Sequence, residues 1–183
     1  MFIDYVTLML INMSAGLFVL ASFIWKDIDK ENNQSWAPAF ALPGLVAAIC
    51  GFAMTFTWPL PKPYNVAFGE TTILLGILFL GAAWSLAKGW ELLPLGIYAF
   101  FAGLTGVLIG IRTINLGLTA SPLVSGVGFI LTGSGGVFAG AVLLNRHRKW
   151  LRIAGAIVLI AAALIWARTG FLAYWIHLRT NTN

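Results

Sequence analysis

The stretch YVTLMLINMSAGLFVLASFIW, Tyr5–Trp25, is 21 residues long, carries no charged side chain and decides the fold class. A bilayer core about 30 Å thick is crossed by about 20 helical residues, each rising about 1.5 Å. Five further stretches have the same character: Trp36–Thr57, Thr71–Ala87, Leu92–Ile111, Pro122–Leu144 and Trp150–Leu178. With 60 % of 183 residues hydrophobic and 9 % charged, the chain carries more apolar surface than a soluble core of this size needs. It reads as a single all-α domain, residues 1–183, with six transmembrane helices and no polar connection long enough for a second domain. The first stretch reads as a retained span rather than a signal peptide. It lacks a basic start, follows Asp4, and leads into Trp25-Lys26 instead of a small-residue cleavage site.

Short loops rich in Lys and Arg face the cytoplasm. One side holds Lys26, Lys30, Lys88, Arg146, Arg148, Lys149 and Arg152; the other holds Lys62, Arg112, Arg168 and Arg179. The asymmetry predicts both termini outside. It also explains the net charge of +5 without nucleic acid, since the run Arg146-His147-Arg148-Lys149 reads as a topology anchor. Trp25, Trp36, Trp84, Trp90 and Trp150 are expected at the inner boundary, and Trp58, Trp166 and Trp175 at the outer one. The single cysteine, Cys50, has no disulfide or metal partner of its own kind and reads as a packing residue.

Lipid gives helices no hydrophobic reason to associate, so close approach through small residues must supply the packing. Glycines recur in every span for which packing partners are expected: Gly16, Gly44, Gly51, Gly76, Gly81, Gly103, Gly106, Gly110, and the cluster from Gly126 to Gly140. The run Gly133-Ser134-Gly135-Gly136 reads as a tight helix crossing, with a flexible break as the alternative. Gly51-Phe52-Ala53-Met54-Thr55 and Gly128-Phe129-Ile130-Leu131-Thr132 share a G-F-x-x-T echo. With three spans per half, the halves would form a 3+3 inverted repeat, a plan common in transport proteins.

Reactive groups are scarce. His147 and His177 are expected on opposite faces of the membrane, and no paired-carboxylate, Cys-rich or H-E-x-x-H arrangement exists. The expectation is a non-enzymatic protein without metal or cofactor. Polarity gathers outside, in the loop Trp58–Glu70, whose three prolines predict a stiff, extended segment. Glu70 is expected at the N-cap or first turn of the third span, complementing the helix dipole. Its functional alternative is an external-mouth residue with Lys62, Arg112 or Arg168. Arg168 either snorkels or pairs with Glu70 or Asp4. Asn12, the strong hydrogen-bonding side chain inside the first span, suits either a helix interface or a wet pore.

Two resemblances follow from these residues. The stretch from Trp58-Pro59-Leu60-Pro61 through Tyr64-Asn65 to Phe68-Gly69-Glu70 resembles an uncharacterised family of bacterial and archaeal integral membrane proteins, over essentially the whole chain. That likeness implies the plasma (inner) membrane of a prokaryote. More distantly, Phe68-Gly69-x-x-Thr72-x-Leu74-Leu75-Gly76 with Leu80-Gly81-Ala82-Ala83, and Asn12-x-x-x-Gly16-Leu17, are similar to the AmiS/UreI family of urea and short-chain amide channels. This second resemblance implies a ring of six protomers, each with its own pore lined by Asn12, Ile77 and Gly81. Ile77 and Gly81 replace that family's aromatic constrictions, the fifth span lacks its tryptophans, and no carboxylate stands near Gly155. The expected function is a homo-oligomeric channel or facilitator for a small uncharged solute, in contact with membrane lipids. The alternative is an accessory or scaffolding subunit of a larger membrane complex, with Asn12 at a helix interface.

Overall fold

The computed structural model describes residues 5–26, 28 and 33–180. Its elements are α1 (Tyr5–Lys26), a 3-10 turn (Gln34–Trp36) leading into α2 (Ala37–Thr57), α3 (Lys62–Tyr64), a π-helical segment (Asn65–Glu70) and α4 (Thr71–Lys88). They continue with α5 (Leu95–Leu116), α6 (Pro122–Val137), α7 (Ala139–Leu144) and α8 (Lys149–Thr180). Among the described residues no strand occurs, and five helices are long and apolar enough to cross a membrane.

The helix ends obey local chemistry. Pro38 opens α2 and Pro122 opens α6, where a missing N–H costs no hydrogen bond. Gly89 (φ 67°) and Gly117 (φ 60°) close α4 and α5 in left-handed geometry, which a Cβ would oppose. At Gly89 the next amide, of Trp90, reaches back to the Ser85 carbonyl at 2.8 Å. Trp58 ends α2 at φ 48°, and Pro59 then prevents the helix from continuing.

Two expectations are corrected here. The Trp58–Glu70 connection is helical from Lys62 onward instead of extended, so the third apolar element runs from α3 through the π-helical segment into α4. Glu70 accordingly lies in continuous helical backbone (φ −66°, ψ −42°) and makes no side-chain cap hydrogen bond. The stretch Pro122–Leu144 is two helices, α6 and α7, meeting at Phe138 (φ −91°, ψ 0°). Helix propensity is poor in the preceding glycine run, and the break follows it.

The helices pair as α1 with α8, α2 with α4, and α5 with α6, and the pairs join through α1–α2, α4–α5 and α6–α8 into a closed ring. Glycine makes the pairs close. A Cβ on Gly103 would meet the Gly133 carbonyl at 2.4 Å and the Val137 amide at 2.5 Å. One on Gly76 would meet the Ala48 amide at 2.6 Å, and one on Gly110 the Gly126 carbonyl at 2.6 Å. The glycine run of α6 therefore makes the tight crossing, with the break just beyond it.

The inside of the ring is filled. Trp166, Phe129, Phe79, Phe40 and Phe23 are buried in one continuous core. Ring centroids stand 4.9 Å apart for Phe129–Trp166, 5.4 Å for Phe40–Phe79 and 5.5 Å for Phe23–Phe40, within the range of favourable aromatic pairing. Trp166, expected at the outer boundary, is 0 % exposed. Cys50 packs with Met9 and Met54 in a smaller buried cluster.

A Gly103→Ala substitution puts its methyl against rigid backbone and is expected to cost about 1–3 kcal/mol or more. Gly140→Ala meets nothing within 4 Å and is helical, so it should be neutral or stabilising by up to about 1 kcal/mol. Unfolding of both variants in SDS titration checks the contrast; equal stabilities would contradict the glycine crossing.

Candidate functional site

Asn12 sits on the α1 face shared by Tyr5, Met9 and Gly16, and that face is packed. Its Nδ2 donates to the Pro43 carbonyl of α2 at 2.9 Å. One turn on, a Cβ at Gly16 would meet Phe79 at 3.1 Å and Pro43 at 3.3 Å. Gly81 instead faces α5, where a Cβ would approach Leu95 at 3.1 Å. Ile77 is 40 % exposed on the outside of the bundle. The three residues expected around one pore thus have three different surroundings in the protomer.

Glu70, Arg112 and Arg168 are exposed, and among the described residues none forms an ion pair. The side chain of Lys62 lies outside the described residues, as does Asp4. The organiser of this end is Asn65, a residue of the Trp58–Glu70 connection that the sequence predicts to be an external loop. It is 0 % exposed; its Oδ1 accepts from the Leu60 amide at 3.2 Å, and its Nδ2 donates to the Leu60 and Pro61 carbonyls. Short polar side chains readily bond nearby backbone, and an Asn shortly after a Pro-x-Pro turn is the signal that could have found it. Beside it, Thr71 Oγ1 donates to the Ala67 carbonyl within the π-helical segment. Gly69 lies against Thr55, whose hydroxyl would stand 2.9 Å from an added Cβ.

Two more polar contacts tie distant spans together. Trp166 Nε1 donates to Thr132 Oγ1 at 3.0 Å, and that hydroxyl donates to the Gly128 carbonyl at 2.8 Å. The indole covers Gly128 so closely that a Cβ would meet it at 2.8 Å. At the opposite end, Arg152 near the start of α8 donates through Nε to the Ile24 carbonyl at 2.9 Å and through Nη2 to the Trp25 carbonyl. The last carbonyls of α1 lack partners within their helix and carry partial negative charge, so a guanidinium suits them. The basic-loop count had given Arg152 only a topological role.

A closed ring of apolar helices, five of them long and apolar enough to cross a membrane, with polar groups bonded between them, is compatible with a helical membrane protein. Residues 1–180 match the family described as Protein of unknown function (DUF981), and the chain belongs to that family. No curated relative and no solved structure matches the chain. The likeness to the AmiS/UreI channels finds no support in these comparisons.

Arg152→Ala leaves backbone acceptors bare and should destabilise the protein by about 1.5–3 kcal/mol, with Arg152→Lys recovering part of the loss. Asn12→Leu removes one interhelical hydrogen bond, which in a membrane averages about 0.6 kcal/mol. Thermal unfolding in nanodiscs should rank them in that order; wild-type stability of Arg152→Ala would remove the α1–α8 strap.

Proposed function

We propose that this chain is a six-span, non-enzymatic protein of the prokaryotic plasma membrane, closed along its own axis, that serves as an accessory or scaffolding subunit. The observation that carries this reading is the engagement of Asn12 with Pro43 beside an interior filled by aromatic rings. A solute path needs free polar groups along a lumen, whereas here the amide is bonded between helices and the core is Trp and Phe. The sixth crossing is α6 with α7, from Pro122 to Leu144, about 34 Å of near-helical rise. Both termini lie outside, on the Lys and Arg asymmetry of the loops. The G-F-x-x-T echo supports an inverted repeat, since in each copy the threonine meets the next span: Thr132 at Trp166 and Thr55 at Gly69.

The surface supports assembly. Ile97, Phe101 and Leu108 of α5, and Leu164, Phe171 and Trp175 of α8, expose large apolar faces. In a membrane these meet lipid or other spans, and self-association or a larger complex would cover them.

Proteoliposomes tested with urea, acetamide and glycerol should swell no faster than empty vesicles. Saturable flux, abolished by Gly81→Trp in a folded protein, would reject this reading in favour of a facilitator. Topology is checked separately in a Cys50→Ala background. An impermeant thiol reagent should label Val66→Cys from outside and Arg148→Cys only from inside; the reverse pattern would invert the orientation.

A further inference from the structure

The seam between α4 and α5 opens outward into a groove of about 440 Å³. Its walls are Pro94, Ile97, Tyr98, Phe101 and Thr105 on the α5 side and Leu74 of α4, and the small Ala102 leaves room between them. The α5 residues recur at spacings of three and four, one stripe along one helix face. Ile97 is 71 % exposed, Phe101 65 % and Tyr98 40 %, so this apolar surface is open and not already covered by the protein. The stripe runs from Pro94, the N-cap of α5, to Thr105 at the middle of that helix. At about 1.5 Å per residue that is about 16 Å, roughly half of a hydrocarbon core about 30 Å thick, or one leaflet. Its polar atoms differ between the two ends. At the deep end Thr105 Oγ1 donates to the Phe101 carbonyl at 3.0 Å. At the other end Tyr98, in the first turn of α5, makes no hydrogen bond among the described residues. A tyrosine at the end of a span settles at the level of the headgroups. On α4, Leu74, Gly81 and Lys88 share a face two turns apart, and a Cβ on Gly81 would approach Leu95 of α5. Lys88 therefore stands on the groove side, at the same end as Tyr98; it is exposed and forms no ion pair among the described residues.

We propose that this groove holds one acyl chain of a glycerophospholipid drawn from the leaflet on the Lys88 side. The chain lies along Ile97, Phe101 and Leu74 and ends near Thr105. The Tyr98 hydroxyl donates to an ester carbonyl of the lipid, and the Lys88 ammonium attracts its phosphate. A helix of a second copy would cross both leaflets. A groove that stops at the middle of α5, with its donor and cation at one end alone, fits an amphiphile of one leaflet instead. The site rests on the membrane reading above and assigns Ile97 and Phe101 to lipid, not to a partner span.

The full-length protein is placed in nanodiscs containing phosphatidylglycerol with a photoactivatable group midway along one acyl chain, and adducts are mapped by mass spectrometry. Adducts should concentrate on Ile97, Phe101 and Thr105, severalfold above Leu164 and Phe171 of α8, which are exposed to the same bilayer. Ala102→Trp fills the groove and should remove that excess, while Leu164→Trp, outside it, should leave it unchanged. If Ala102→Trp does not fold by circular dichroism, Phe101→Ala removes the exposed wall and should lower the excess instead. Native mass spectrometry from mild detergent then reads the head. Phosphatidylglycerol should be retained about tenfold more strongly than diacylglycerol, which has the ester carbonyls but no phosphate. Lys88→Gln should erase that difference, and Tyr98→Phe should weaken retention of both lipids about fivefold. Equal labelling of α5 and α8 would overturn the site in favour of ordinary boundary lipid. Crosslinking of Ile97→Cys between copies, with the groove unlabelled, would overturn it in favour of a second copy. The membrane reading is checked apart, by alkaline washing of membranes. Release of the chain would reject that reading, whereas retention with uniform labelling would reject the groove alone.

Discussion

Backbone-to-backbone contact at glycine is the constraint on which this fold depends. Lipid tails solvate a leucine as well as a neighbouring helix does, so helices gain by approaching closer than side chains allow. Gly103 against Gly133 and Gly136, and Gly76 against Ala48, leave no room for a single methyl. Those crossings bring α5 onto α6 and α4 onto α2 tightly, and the large side chains that face inward fill the centre of the ring. The aromatic column of Phe23, Phe40, Phe79, Phe129 and Trp166 follows from that geometry.

Polar groups then complete what packing begins. A donor in hydrocarbon must find an acceptor: buried Trp166 finds Thr132, and half-buried Asn12 finds a backbone carbonyl. Arg152 does the reverse for α1, supplying donors to carbonyls that the helix end leaves open. Each bond crosses between spans adjacent in the ring, so polarity in this protein acts as a fastener between helices. The exposed apolar flanks of α5 and α8 are the faces left for lipid or other spans to cover.

The all-helical character and the long apolar helices were legible at once, because apolar length is a property of composition alone. So was the packing role of the small residues, since a Gly-rich face has few other uses in lipid. Partner choice was not legible. Nothing in periodicity says that Trp166 turns inward to Thr132 when its position along the span suggests the headgroups. The three prolines before Glu70 argued for extended chain, yet each sits where a helix can begin or where α2 has already ended. The buried Asn65 amide then holds that turn, a long-reaching effect of one short side chain. Asn12 was legible as a polar exception, but its partner, the Pro43 carbonyl of α2, was not.

Water access to the α1 face that carries Asn12 tests the central claim most directly. In a Cys50→Ala background, a cysteine introduced as Asn12→Cys is exposed to a small, impermeant methanethiosulfonate reagent in proteoliposomes. A bundle closed by its aromatic core predicts no modification from either side until the protein is unfolded. Rapid modification in the folded protein, slowed by a small neutral solute such as urea, would contradict the account and establish a wet path through the protomer.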